Sequence, residues 1–191
     1  MKIRSFLAFE LPLEMKKIVA RVSGELRQST LNARWVKVDN IHLTVVFMGS
    51  IETGDIPTIA RGVQEVCQTY GPFDMSLRGI GCFPNRRSPR VLWLGLDGDL
   101  ESMSDFRDAL QEHLTGFGIK EEKRKFKPHL TLARFRKPKK MGLEEDQLLS
   151  EYEDISSPVC ALKELILFKS DLKPTGAVYT KVEAWPLTGE K

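Results

Sequence analysis

A chain of 191 residues with 41% hydrophobic and 29% charged residues has the balance of a soluble globular protein and is too apolar to be disordered. No run of roughly 18 apolar residues occurs, so no membrane span is expected, and Met1-Lys2-Ile3-Arg4-Ser5-Phe6 enters a strand pattern with no signal-peptide apolar segment. Cys67, Cys82 and Cys160 are odd in number and lack any C-x-x-C spacing, which argues against a disulfide framework or a zinc knuckle and for a reducing cytoplasm.

In chain order, residues 2–10 read as a strand with Ile3, Phe6 and Phe9 apolar. Pro12 opens a helix whose Met15, Ile18, Val19, Val22 and Leu26 recur at helical spacing, with Gly24 weakening its last turns. Residues 34–38 look extended, and Asn40 leads into a strand over 41–48 that Gly49 ends. Asp55 is the expected N-cap of a second helix, with Pro57 just inside it and an apolar stripe at Ile56, Ile59, Ala60, Val63, Val66 and Cys67. Residues 73–81 and 90–96 form a predicted strand pair around Phe83-Pro84-Asn85-Arg86-Arg87-Ser88-Pro89. A third helix is expected from an N-cap at Asp99 to a stop at Gly116, on the stripe Leu100, Met103, Phe106, Leu110 and Leu114. A strand over 126–135, a loop with a short helix over 141–150, and strands over 162–168 and 177–185 complete the chain, the last two separated by the turn-rich segment 170–176. With no linker or low-complexity segment, the expected class is α+β: one domain of 191 residues in two interleaved lobes, mainly antiparallel, with helices outside and a central cleft.

All three histidines stand in His-Leu-Thr: His42-Leu43-Thr44, His113-Leu114-Thr115 and His129-Leu130-Thr131. On a strand, residues i and i+2 emerge on one face, so His42 stands beside Thr44 and His129 beside Thr131. His113 falls in a helix, where residues two apart diverge by about 200°, so it cannot converge with Thr115 and is expected to be structural. His42 and His129 lie 87 residues apart (129 − 42), nearly half the chain, a spacing that suggests duplication about a pseudo-twofold axis.

Two facing His-Thr pairs supply a proton acceptor, a proton donor and two neutral hydrogen-bond donors, an inventory suited to phosphoester chemistry. No Asp, Glu or Cys accompanies either histidine at ligand spacing, so a metal is not expected. No G-x-S-x-G elbow, Walker loop or G-x-G-x-x-G is present. The net charge is only +3, yet ten Lys or Arg against two Glu occupy residues 120–140 and bracket His129, which favours an anionic ligand there.

At these residues the chain resembles the 2H phosphoesterase superfamily, named for two H-x-[ST]-x motifs, and within it the RNA 2',3'-cyclic phosphodiesterases, also called 2'-5' RNA ligases. Arg4-Ser5-Phe6-Leu7-Ala8 is similar to the opening strand of that family. Trp35-Val36 with Asn40-Ile41-His42-Leu43-Thr44-Val45-Val46-Phe47-Met48-Gly49 resembles the first motif block, and Arg90-Val91-Leu92-Trp93-Leu94-Gly95 the strand between motifs. Phe126-Lys127-Pro128-His129-Leu130-Thr131-Leu132-Ala133-Arg134 resembles the second block, and Leu172, Gly176 and Tyr179 the ending. The resemblance implies a bilobal pseudo-symmetric α+β fold, no cofactor or metal, and hydrolysis of an RNA-terminal 2',3'-cyclic phosphate to a 2'-phosphate, with reversible 2'-5' ligation in some members.

From symmetry and this resemblance, His129 is assigned as general base for water and His42 as general acid to the departing ribose oxygen, with exchange of roles open. Thr44 and Thr131 are expected to bind the nonbridging oxygens. Arg134, three residues past Thr131, would face away on a regular strand, so a phosphate role requires a twist or bulge. Arg86, Arg87, Lys125, Lys127 and Arg136 are candidate contacts to RNA backbone phosphates. Trp35 and Phe47 offer stacking surface for a base but are more simply read as core. A monomer acting on RNA ends is expected. The alternatives are a related phosphodiesterase for 2'-5' linked oligonucleotides or cyclic ADP-ribose phosphate, a non-catalytic RNA-end binding module, and a metal-dependent hydrolase.

Overall fold

Two antiparallel sheets, each containing one of the His-Thr strands, form the frame of the molecule. The computed structural model describes residues 1–136, 140–174 and 176–191; Lys137 and Lys139 of the basic run and Thr175 of the predicted turn lie outside the described residues, as does Pro138. The order is β1 (Lys2–Glu10), α1 (Leu13–Arg27), β2 (Arg34–Trp35), β3 (His42–Glu52), α2 (Ile56–Cys67), β4 (Phe73–Phe83), β5 (Val91–Gly98), α3 (Leu100–Leu114), β6 (His129–Arg134), α4 (Leu143–Ser150), β7 (Cys160–Leu162), β8 (Glu164–Lys173) and β9 (Gly176–Pro186). One sheet runs β3-β1-β8-β9 and the other β2-β6-β5-β4-β7. The class is α+β, as expected. No described helix is long and apolar enough to cross a membrane.

Strand alternation sorts the side chains of β1 onto two sides. Leu7 and Phe9 enter the main core, while Phe6 and Ala8 face the other way and cluster with Ile166 and Phe168 of β8. The apolar stripe of α1 is fully buried at Met15, Val19, Val22 and Leu26, so Gly24 does not interrupt it. The sheets meet where β3 contacts β6, which brings the two motif strands together at the seam between the lobes.

Several predicted element ends differ in detail, some through distant strand partners and some through local 3₁₀ turns. β3 continues past Gly49 to Glu52, since Gly49 adopts φ +70 beside a bulge at Met48 and pairing with β1 then resumes. Asp55 stands at the N-cap position of α2 as expected, but it also ends a 3₁₀ turn, Thr53–Asp55, and its side chain makes no capping bond among the described residues. Asp99 likewise stands at the N-cap position of α3, but its carboxylate accepts the Asp74 N–H at 2.7 Å in place of a helix N–H. The left-handed stop after α3 is Gly118, not Gly116, following a 3₁₀ turn over Thr115–Phe117. β6 begins only at His129, and the predicted final turn is narrower because β8 and β9 pair as far as Lys173 and Gly176.

His113 fills the contact between α2 and α3. An ideal Cβ on Gly62 of α2 would lie 1.4 Å from His113 Nε2, so the helices approach this closely only with glycine there. Among the described residues that Nε2 is buried without a hydrogen-bond partner, as befits a packing residue. Gly62→Ala is expected to lower stability by about 1–3 kcal/mol through overpacking. Urea unfolding checks this, and His113→Ala in the same chain should restore part of the loss.

Candidate active site

Each motif histidine enters its strand with the same restraint. The Nδ1 of His42 lies 2.8 Å from the carbonyl oxygen of Asn40, and the Nδ1 of His129 lies 2.7 Å from that of Lys127. A carbonyl can only accept, so both Nδ1 atoms carry hydrogen and donate. The neutral rings therefore present an Nε2 lone pair, and both nitrogens available for proton exchange are Nε2. Sequence arranges this twice by different means. Asn40 closes a 3₁₀ turn, and its side-chain amide donates to Ala177 O at 2.8 Å on β9. Pro128 biases Lys127 towards extended backbone, which directs its carbonyl along the strand entry.

The strands carry matching irregularities. In β3, Ala8 pairs with Thr44 and Leu7 with Val46, leaving Val45 as an extra residue; in β6, Trp93 pairs with Thr131 and Leu92 with Ala133, leaving Leu132 extra. Both bulges fall three residues past the histidine, and both produce two consecutive buried residues after the threonine. Alternation consequently reverses, so Phe47 emerges on the face of His42 and Thr44, and Arg134 on the face of His129 and Thr131. The regular strand that would have turned Arg134 away is not the one present.

The surroundings of the two rings differ. His42 stacks on Phe6, with centroids 4.6 Å apart and planes 18° apart, and Tyr179 stands nearly perpendicular to both rings at 5.2 Å from His42. His129 meets Phe83 edge-on at 4.9 Å, and Trp93 lies 6.5 Å away. Glycine leaves the indole its place: a Cβ on Gly81 would come within 2.3 Å of Trp93. Burial holds both imidazoles below the ordinary value of 6.5, opposed in each by the bond to the backbone carbonyl; for His129 the nearby Arg134 charge lowers it further.

The remaining predicted residues are distributed unevenly. Lys125 and Lys127 are exposed on the irregular segment that precedes β6, Arg136 is exposed two residues beyond it, and Arg87 is exposed in the β4–β5 loop. Arg86 instead faces Glu153 at 2.8 Å, Asp146 at 3.5 Å and Ser150 Oγ at 3.2 Å, so its charge is engaged by α4 and the turn after it. Trp35 packs on the main core, whereas Phe47, expected to be core, is 54% exposed with the Arg4 guanidinium 5.1 Å from its centroid. The segment before β6 is tied to α3 through Glu122, whose carbonyl accepts from Arg107 and whose N–H donates to Gln111, both at 2.8 Å.

Three contributors escaped the sequence reasoning. Phe6 and Tyr179 reach His42 only through the pairing of β1, β8 and β9, which no local pattern reveals. Arg34 pairs directly with Arg134 across β2 and β6; its one sequence signal is its position beside the Trp35-Val36 segment. Among the described residues no group of three His, Cys, Asp or Glu is placed to hold a metal ion.

Known proteins are similar to this chain over nearly its whole length. An RNA 2',3'-cyclic phosphodiesterase of Methanothermobacter thermautotrophicus is 32% identical over 187 residues, covering 98% of this chain and 100% of the relative. One from Thermotoga maritima is 30% identical, covering 93% of this chain and 91% of the relative. The crystal structure of TT0787 of Thermus thermophilus superposes with a TM-score of 0.82 at 25% identity, covering 99% of this chain and 100% of that one. The profile of the 2'-5' RNA ligase superfamily matches residues 16–174, a span that contains both bulged His-Thr strands, and the chain belongs to that superfamily.

Proposed function

We propose that this chain, one domain acting as a monomer in the cytoplasm, hydrolyses RNA-terminal 2',3'-cyclic phosphates to 2'-phosphates by metal-independent acid-base catalysis between His42 and His129. The observation that carries this reading is the repeated restraint on Nδ1, which leaves two Nε2 atoms to exchange protons on strands that touch. The names of the two relatives, both RNA 2',3'-cyclic phosphodiesterases, support the substrate.

In this mechanism His129 Nε2 takes a proton from water as the oxygen attacks phosphorus, the P–O3' bond breaks, and His42 Nε2–H protonates O3'. The assignment follows the asymmetry of the rings. His129 carries the added repulsion from Arg134 and so favours the neutral form a base requires. The shift of His42 comes from burial alone among its lowering causes, and a phosphodiester anion bound beside it would offset that burial and return the proton. Thr44, Thr131 and Arg134 bind the nonbridging oxygens, with no covalent enzyme intermediate. With an RNA 5'-hydroxyl in place of water, the same atoms perform 2'-5' ligation: His129 Nε2 takes the hydroxyl proton, the P–O5' bond forms, the P–O3' bond breaks and His42 Nε2–H protonates O3'. The histidines exchange roles only when that linkage is cleaved back to the cyclic phosphate. Phe47, on the His42 side, offers a stacking face to the terminal base.

The decisive assay is hydrolysis of an RNA ending in 2',3'-cyclic phosphate, in EDTA between pH 5 and 9, with the phosphate position of the product identified. Turnover in chelator with a 2'-phosphate product is expected. Both free-enzyme imidazoles are held below 6.5, so the bell of kcat/KM should centre on the acid side of that value. The bell of kcat should sit at higher pH, because bound phosphate raises the acid's pKa. Loss of turnover in chelator, or a 3'-phosphate product, would refute the proposal.

A further inference from the structure

Arg34 of β2 stands directly opposite Arg134 of β6 in antiparallel register. Cross-strand partners share a face with Cβ atoms about 5 Å apart, and like charges so placed destabilise a sheet unless something compensates them. Both arginines are exposed, and neither forms an ion pair among the described residues. The neighbouring pair, Trp35 with Ala133, turns into the main core, which leaves the two guanidinium groups on the opposite face, that of His129 and Thr131. The short strand is held there by the Val36 N–H donating to Leu132 O at 2.8 Å, at the bulge itself.

Arg34 also reaches the other lobe. Its Nη2 lies 3.9 Å from where a Cβ on Gly176 would be, at the start of β9 and next to Ala177, whose carbonyl holds Asn40. The guanidinium pair therefore sits where the two sheets adjoin, three residues along β6 from Thr131, roughly 7–10 Å after the bulge is allowed for. Long arginine side chains make that interval suitable for an anion one nucleotide away from the reacting phosphate.

We infer that Arg34, with Arg134, forms a second anion subsite that holds the internucleotide phosphodiester preceding the terminal nucleotide. The inference rests on the proposed hydrolysis of cyclic phosphate ends and adds a minimum substrate, a dinucleotide. Arg134 lies between the reacting phosphate and Arg34 and serves both, whereas Arg34 serves only the second. An anion bridging the two side chains supplies the compensation that the bare pair lacks, through charge-assisted hydrogen bonds for which the planar guanidinium is suited. The pseudo-twofold counterpart of Arg134 is Phe47, so the cleft is cationic at one end and aromatic at the other, matching a nucleotide's phosphate and base.

The test compares wild type and Arg34→Gln on a dinucleotide ending in 2',3'-cyclic phosphate and on the mononucleoside 2',3'-cyclic phosphate. Wild type should prefer the dinucleotide. Arg34→Gln should lower kcat/KM for the dinucleotide about 10-fold, mainly through KM, and leave the mononucleotide unchanged. The salt dependence of log kcat/KM for the dinucleotide should flatten by about 0.7. Thermal unfolding without ligand should show an unchanged or raised Tm, since a like-charge neighbour is removed. Equal losses on both substrates, no loss on either, or a lowered Tm would overturn the subsite while leaving the hydrolytic reading intact. If wild type hydrolyses neither substrate, that reading fails, and calorimetric binding of a dinucleotide and a mononucleotide, each ending in a 3'-phosphate, decides the subsite by the same selective loss in Arg34→Gln.

Discussion

His42→Ala and His129→Ala should each reduce kcat on a cyclic phosphate end by about 10² to 10⁴, the usual contribution of a positioned acid or base. The double variant should lose far less than the product of the two, because once one partner is missing the other has no complementary proton transfer to perform. Stopped assays with single and double variants measure both effects. Their pH profiles separate the roles: a variant lacking the base should lose the acidic limb of the bell, and one lacking the acid the alkaline limb. His129→Ala retaining its acidic limb would reverse the assignment. His113→Ala provides the control, since it should affect stability while leaving kcat within about twofold.

Thr44→Val and Thr131→Val should each lower kcat by about 10² to 10³, the scale of removing one hydrogen-bond donor from an oxyanion as charge develops. Valine keeps the β-branched shape and strand preference, so the loss reports the hydroxyl and not the pairing of β3 or β6. Thr→Ser at either position should restore most of the rate, because a serine hydroxyl can reach the same oxygen. If both valine variants retained full kcat and raised only KM, the hydroxyls would bind ground state and transition state equally and would not be catalytic.

The motif strands show why part of this site was legible in advance. Strand periodicity alone places His42 with Thr44 and His129 with Thr131, and helical periodicity alone removes His113 from consideration. These are local consequences of residue spacing, and they survive in the fold. Phe47 and Arg134 are the opposite case. Five residues past each histidine they belong to the other face by simple alternation, and only the extra residues Val45 and Leu132 return them to the site. A bulge is a property of two paired strands; neither β3 nor β6 announces it alone. Asp99 stands at its expected N-cap position without a side-chain cap for a related reason, since a carboxylate that can cap a helix can equally accept from a strand N–H brought near it, as Asp99 does from Asp74.

Sequence by itself determined the α+β class, the superfamily resemblance, the catalytic candidates and the concentration of charge around His129, because each resides in residue identity and short-range spacing. Tertiary structure alone decided the stack of His42 on Phe6, the opposition of Arg34 and Arg134, and the engagement of Arg86 by acidic groups of α4 and the following turn. Those features depend on strand register and on which lobe meets which. The free energy that selects them is spread over pairings between segments tens to more than a hundred residues apart, so it leaves no pattern within any one of them.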